Sequence, residues 1–90
     1  MNNIEIYTKA YCPFCHRAKA VLDSKGLRYK EIDVYGDNKL MDEMIKRSKR
    51  RTVPQIFIDG KHIGGSDDLM RIKQTGELDK LLAEKAELTA

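Results

Sequence analysis

The chain contains no tryptophan, only two prolines and two cysteines, and no run of apolar residues longer than three. Each shortage removes a class of protein. A helix that spans a bilayer needs about 20 consecutive apolar residues, so no membrane partner is expected. Two cysteines cannot build a disulfide scaffold, and a bridge between Cys12 and Cys15 would close too short a loop to constrain the unfolded chain. Repeats, low-complexity tracts and Pro/Gly/Ser linkers are missing, so residues 1–90 are expected to form one domain around one core. The opening Met1-Asn2-Asn3-Ile4-Glu5 has neither a basic n-region nor an apolar h-region. No secretory leader is expected, and a reducing cytoplasm is the expected location.

What is present is ordinary for a soluble globule: 34% charged and 41% apolar residues, too apolar for intrinsic disorder. The net charge of +3 is local in origin. Lys46, Arg47, Lys49, Arg50 and Arg51 fall within six positions, leaving a small negative balance over the rest of the chain.

Periodicity orders the chain as strand, helix, strand, helix, hairpin, helix, helix. Ile4, Ile6 and Tyr7 predict a first strand ending at the loop Thr8 to Tyr11. Pro13 stands where helices accept proline, Phe14, Ala18, Val21 and Leu22 follow at helical spacing, and Gly26 supplies a stop. Tyr29 to Val34 reads as a second strand, closed by Gly36-Asp37-Asn38. Leu40, Met41, Met44 and Ile45 make an amphipathic helix that runs into the basic cluster. Gln55 to Ile58 is β-rich, and Asp59-Gly60 is a type I′ hairpin signal leading into Lys61-His62-Ile63. Ser66 or Asp67 can cap a helix bearing Leu69 and Ile72 that Gly76 ends. Leu78, Leu81, Leu82 and Leu88 mark a last helix expected to fray near Ala90. The fold class is therefore α/β. A βαβ unit followed by a hairpin and helix is a thioredoxin-like order, with a four-stranded mixed sheet flanked by helices.

The cysteines sit at the first helix's start. A thiolate, not a thiol, is the nucleophile, and a helix start offers unpaired N–H groups and a dipole that favour negative charge. Cys12 has that placement, with the cation Lys9 just upstream. Cys15, one turn on, is near enough to attack a mixed disulfide formed at Cys12, so the pair reads as attacking and resolving thiols. Three other readings stand beside this one. Two inert buried cysteines fit poorly with a thiol beside Pro13 and a lysine. A zinc site could draw on Cys12, Cys15, His16 and His62, but the histidines lack paired spacing and no metal is expected. Cys12-Pro13-Phe14-Cys15-His16 also matches a haem-attachment pattern, although an export signal is missing and proline suits a redox turn better.

Three blocks carry a family resemblance: Lys9-Ala10-Tyr11-Cys12-Pro13-Phe14-Cys15, Thr52-Val53-Pro54 and Gly64-Gly65-Ser66-Asp67-Asp68. In order and spacing they resemble the active-site signature, proline loop and second glutathione-contacting turn of the dithiol glutaredoxins, with similarity from about Ile4 to Leu82. Thioredoxin itself is disfavoured, since its Cys-Gly-Pro-Cys pair and preceding Trp are missing. Phe14 replaces a frequent Tyr, and Ser66 stands where relatives can carry another Cys. The resemblance implies a thioredoxin fold and reduction of protein–glutathione mixed disulfides and protein disulfides, with glutathione as electron donor. Expected partners are glutathione and glutathionylated or disulfide-containing proteins, ribonucleotide reductase among the candidates, and a monomer is expected.

The same resemblance implies a binding site. Lys9 and Arg50 would face the glycyl carboxylate, and N–H groups of Ser66 and Asp67 at a helix start would suit the γ-glutamyl carboxylate, with the Asp67 side chain meeting the ammonium. Pro54 would be cis, leaving the backbone of Val53 to pair with the cysteinyl segment. Tyr11, Pro13, Phe14, Thr52 and Gly65 would wall the site. Simpler roles exist for each: Ser66 and Asp67 as caps, Gly64 and Gly65 as turn residues, Thr52 as a strand residue, Lys9 as a solvated lysine. His16 and His62 read as surface and strand residues.

The basic run admits a solvated helix end, steering of an anionic partner with Arg50 as the best-placed contact, or nucleic-acid binding. The last is not expected, because no stacking aromatics are interleaved. A function of another class stays open as well. Two Cys12 thiolates and two glutathiones could hold an iron–sulfur cluster across a dimer, as in some relatives, although the rigidity of Pro13 argues against it.

Overall fold

The computed structural model describes the backbone from Asn3 to Thr89 and side chains as far as Ala83. Its elements are β1 (Ile4–Thr8), α1 (Pro13–Ser24), β2 (Lys30–Asp33), α2 (Asn38–Ser48), β3 (Gln55–Ile58), β4 (Lys61–Gly64), α3 (Ser66–Thr75) and α4 (Glu77–Thr89). The strands form one mixed sheet in the order β2-β1-β3-β4. β1 and β2 run parallel with Tyr7 opposite Ile32, whereas β3 is antiparallel to both β1 and β4.

Strand alternation divides the core in two. Ile4, Ile6, Ile56 and Ile58 face Ala18, Val21 and Leu22 of α1, Leu69 and Ile72 of α3, and Leu78 of α4. Tyr7, Ile32, Val34 and Phe57 point to the other side, against Met44 of α2. Since β1 and β2 are parallel, their C-terminal ends emerge together, and the loop after β1 opens into α1 at that edge of the sheet. This is where the cysteines sit.

The hairpin turn has the geometry its sequence predicts, with φ of 52° at Asp59 and 82° at Gly60. Three expectations need correction. β2 is shorter than Tyr29 to Val34; Val34 instead donates its N–H to the Thr8 carbonyl at 2.9 Å as the chain leaves the strand. β4 extends one residue further than read, to Gly64. Neither Ser66 nor Asp67 caps α3. The N-cap is Gly65, and Asp68 reaches back to accept its N–H at 2.9 Å. The cause is Gly64, whose φ of 123° turns the chain so tightly that a Cβ there would overlap the Asp68 carboxylate. The side chain of Leu88 and the residue Ala90 lie outside the described residues. Among the described residues no helix is long and apolar enough to cross a membrane.

Candidate active site

Tyr11, at φ 61° in the left-handed region and almost fully exposed, turns the chain out of the β1 loop. Cys12 follows in an extended conformation as the N-cap of α1, with Pro13 as the first helical residue. The Cys12 sulfur accepts the N–H of Cys15 at 3.1 Å and lies 3.9 Å from the Val53 carbonyl oxygen. The sequence thus places a polarisable sulfur where α1 has donors to spare. Cys12 is partly exposed, Cys15 is 1% exposed, and both are free thiols. Burial pushes the Cys15 thiol up to about 12, helped by its contact with Cys12 and opposed by the Lys9 backbone N–H and the Lys19 charge. An accessible sulfur at a helix start and a protonated one beneath it suit a sequence in which Cys12 reacts first.

Across from Cys12 runs the 52–54 segment, with a cis bond between Val53 and Pro54. Its anchor is a side chain that the sequence did not single out. Gln55 is fully buried, and its Nε2 donates to the Thr52 carbonyl at 3.0 Å and to Thr52 Oγ1 at 3.2 Å. Because that carbonyl can only accept, the amide oxygen must face the other way. There it meets His62 Nε2 at 2.7 Å, which fixes Nε2 as the protonated nitrogen. Burial keeps the His62 ring below the ordinary imidazole range, with Arg50 and Arg47 adding to the effect and Asp68 opposing it.

The start of α3 closes the site. A cleft of about 330 Å³ is lined by Phe14, Arg50, Thr52, Val53, Pro54, Gly65, Ser66 and Asp67, together with Asp68. Of the residues read from sequence, the structure therefore gathers these eight around one cleft, with Cys12 beside it at Val53. Lys9, Tyr11 and Pro13 do not line it, and Cys15 lies beneath. Asp68 belongs to the third block of the resemblance but has no role of its own there, although an acidic residue three positions after Gly65 is a capping-box spacing. Its carboxyl is held below the usual range by the Gly65 N–H, and by Arg50 at 3.0 Å and Arg71 at 3.8 Å. Ser66 Oγ is buried with no hydrogen-bond partner. The guanidinium of Arg17 sits 5.7 Å from the centre of the half-exposed Phe14 ring.

The basic run is not a uniform solvated patch. Arg47 turns inward, donating to both carboxylate oxygens of Glu5 at 3.0 and 3.2 Å and to the Tyr7 hydroxyl at 2.8 Å. Its guanidinium lies 4.0 Å from the centre of the Phe57 ring. Tyr7 in turn donates to Glu43 at 2.6 Å. Lys49, in the left-handed region at φ 62°, ends α2 and leads Arg50 toward the cleft. Among the described residues no group of three or more His, Cys, Asp or Glu side chains is placed to hold a metal ion.

Comparison with known proteins gives one consistent result. Residues 4–63 match the family model described as glutaredoxin. The chain is 58% identical over 82 residues to Glutaredoxin 3 of Escherichia coli K12, covering 91% of this chain and 99% of that one. It is 51% identical to Glutaredoxin 1 of Rickettsia typhi, covering 91% and 81%. Among solved structures, a buckwheat glutaredoxin–glutathione complex superposes with a TM-score of 0.83 at 35% identity, covering 92% of this chain and 78% of that one. A glutaredoxin from Brucella melitensis gives 0.78 at 49% identity, covering 89% and 87%.

Proposed function

The chain belongs to the glutaredoxin family, with a thioredoxin-like fold and glutathione-dependent thiol–disulfide oxidoreductase activity, and from that premise we propose how its residues divide the work. Cys12 attacks the glutathione sulfur of a glutathionylated protein. A bond forms between Cys12 and that sulfur, the bond to the protein sulfur breaks, and the protein thiolate leaves and takes up a proton. A second glutathione, as its thiolate, then attacks the Cys12-bound sulfur, giving glutathione disulfide and the free Cys12. For a protein disulfide, Cys15 resolves the intermediate by bonding to Cys12 and releasing the second substrate thiol.

The observation that carries this reading is the partly exposed Cys12 at the start of α1, its sulfur accepting the Cys15 N–H at 3.1 Å and standing 3.9 Å from the Val53 carbonyl. The cleft chemistry supports glutathione beside it. The free N–H groups of Ser66 and Asp67 in the first turn of α3 suit the γ-glutamyl carboxylate. The ammonium falls to the adjacent carboxylates of Asp67 and Asp68, both on the cleft wall. Arg50 on that wall, and Lys9 outside it, are the cations for the glycyl carboxylate. The Val53 backbone offers strand-like pairing to the cysteinyl segment. A solved relative at TM-score 0.83 is a glutathione complex, which supports the same placement. The reading extends to a single domain over residues 1–90 that works as a monomer in the cytoplasm on disulfide-bearing proteins, with ribonucleotide reductase among the candidates.

Glutathione-coupled reduction of a small mixed disulfide tests the roles of the sulfurs. Cys12→Ser is expected to abolish turnover, whereas Cys15→Ser retains turnover on the glutathione mixed disulfide and loses reduction of an intramolecular protein disulfide. Equal loss in both variants on the mixed disulfide would contradict the assignment.

A further inference from the structure

Resolution of a mixed disulfide at Cys12 requires the thiolate of Cys15, yet that residue is 1% exposed. Few charges face it. Cys12 adjoins it at the helix start, the Lys9 backbone N–H points to it, and Lys19 follows one turn along α1. The four-residue spacing puts Lys19 on the same face of the helix, with Cβ atoms about 5–6 Å apart. The lysine is not free to swing. Its ammonium lies 3.1 Å from Glu31 Oε2, and the same oxygen accepts the buried Thr8 hydroxyl at 2.8 Å. Tyr29 is the further group facing Lys19, and His16 the further one facing Glu31. Only 22% of the Lys19 side chain is exposed, so its ammonium sits in a partly buried place one turn along α1 from Cys15. In such surroundings a charge acts more strongly than it would in water.

We propose that Lys19, whose charge Glu31 offsets only in part, is a positioning residue that stabilises the Cys15 thiolate and so governs the dithiol step. Cys15 gives its proton to solvent and bonds to Cys12; the bond from Cys12 to the substrate sulfur breaks, and the departing thiolate is protonated. Two electrons pass from the dithiol to the substrate, and Lys19 keeps its proton throughout. The inference rests on Cys15 as the resolving thiol.

The test compares single-turnover reduction of a peptide with one intramolecular disulfide against glutathione-coupled reduction of a glutathionylated small thiol. Both are followed from pH 5 to 9 in wild type, Lys19→Met, Lys19→Arg, Glu31→Gln and Cys15→Ser. Methionine keeps the helix propensity and the apolar stem of lysine, so the fold is expected to survive. In Lys19→Met the ratio of dithiol to monothiol rate at pH 7 is expected to fall about tenfold, and the dithiol pH profile to move up about one unit. Lys19→Arg restores both. Glu31→Gln, which removes the opposing negative charge, moves the profile down. An unchanged ratio in Lys19→Met, or an upward shift in Glu31→Gln, overturns the proposal. If Cys15→Ser reduces the intramolecular disulfide as well as wild type does, the assignment of the resolving thiol fails instead.

Discussion

Gln55→Met isolates what holds the 52–54 segment opposite Cys12. Methionine matches glutamine in length, so the substitution opens little cavity in a fully buried position and removes only hydrogen bonds. Three are lost: two donated to Thr52 at 3.0 and 3.2 Å, and one accepted from His62 at 2.7 Å. Each is worth about 1 kcal/mol net, and the exposed Thr52 can regain water, so a destabilisation of about 2 kcal/mol is expected. For a domain of this size that corresponds to a fall in Tm of roughly 8–16 °C. Since Thr52 and Val53 wall the cleft, KM for glutathione is expected to rise by more than kcat falls. Gln55→Glu keeps an acceptor for His62 but offers Thr52 no donor, and is expected to fall between wild type and Gln55→Met. Thermal unfolding followed by circular dichroism, with steady-state kinetics in varied glutathione, measures both effects. A Gln55→Met protein with Tm within 2 °C of wild type and an unchanged KM would refute the reasoning.

The remaining predictions concern charge. The Asp68 carboxyl is held below its ordinary value, first by the Gly65 N–H and then by Arg50, so its stabilisation is complete above the unfolded value near 3.8 and is lost as pH falls through the lower folded value. Urea unfolding between pH 5 and 2 should therefore show wild type losing more stability than Asp68→Asn, and parallel curves would count against the cap. Arg47→Lys loses the forked contact with Glu5 and the stack on Phe57. A cost of about 1–3 kcal/mol is expected in urea unfolding near pH 7, with no change in the rate at which iodoacetamide alkylates Cys12.

Much of this fold was legible because its signals were local. Ile4 and Ile6 alternate as a strand must, Phe14 to Leu22 repeat at helical spacing behind Pro13, and Asp59-Gly60 admits few other conformations. The sulfur pair was legible for the same reason, since a helix start gives Cys12 its donors whatever packs around it. What escaped depends on contacts between distant segments. Gln55 reads as the polar end of a strand, and nothing nearby in sequence shows that its partners are Thr52 and His62. Arg47 reads as one more cation in a basic run, while its partners Glu5, Tyr7 and Phe57 come from β1 and β3. That Gly65, rather than Ser66 or Asp67, caps α3 could not be read without the backbone angle at Gly64.

The ion pair between Arg50 and Asp68 makes the cleft wall a zwitterion before any ligand arrives. Glutathione, with two carboxylates and one ammonium, then docks partly by exchanging partners: its glycyl carboxylate takes the place of Asp68 on Arg50, its ammonium takes up Asp68, and its γ-glutamyl carboxylate meets backbone N–H groups, so few counterions are released. Its affinity should consequently respond weakly to ionic strength. The outward cations Lys46, Lys49 and Arg51 behave differently. They are exposed, and their side chains make no hydrogen bond or ion pair to another described residue, so an acidic protein that approached them would do so within a field that salt screens over about 8–10 Å. One small domain would thus bind its reductant and its protein clients under different ionic rules, and adding salt would slow the clients while leaving the reductant in place.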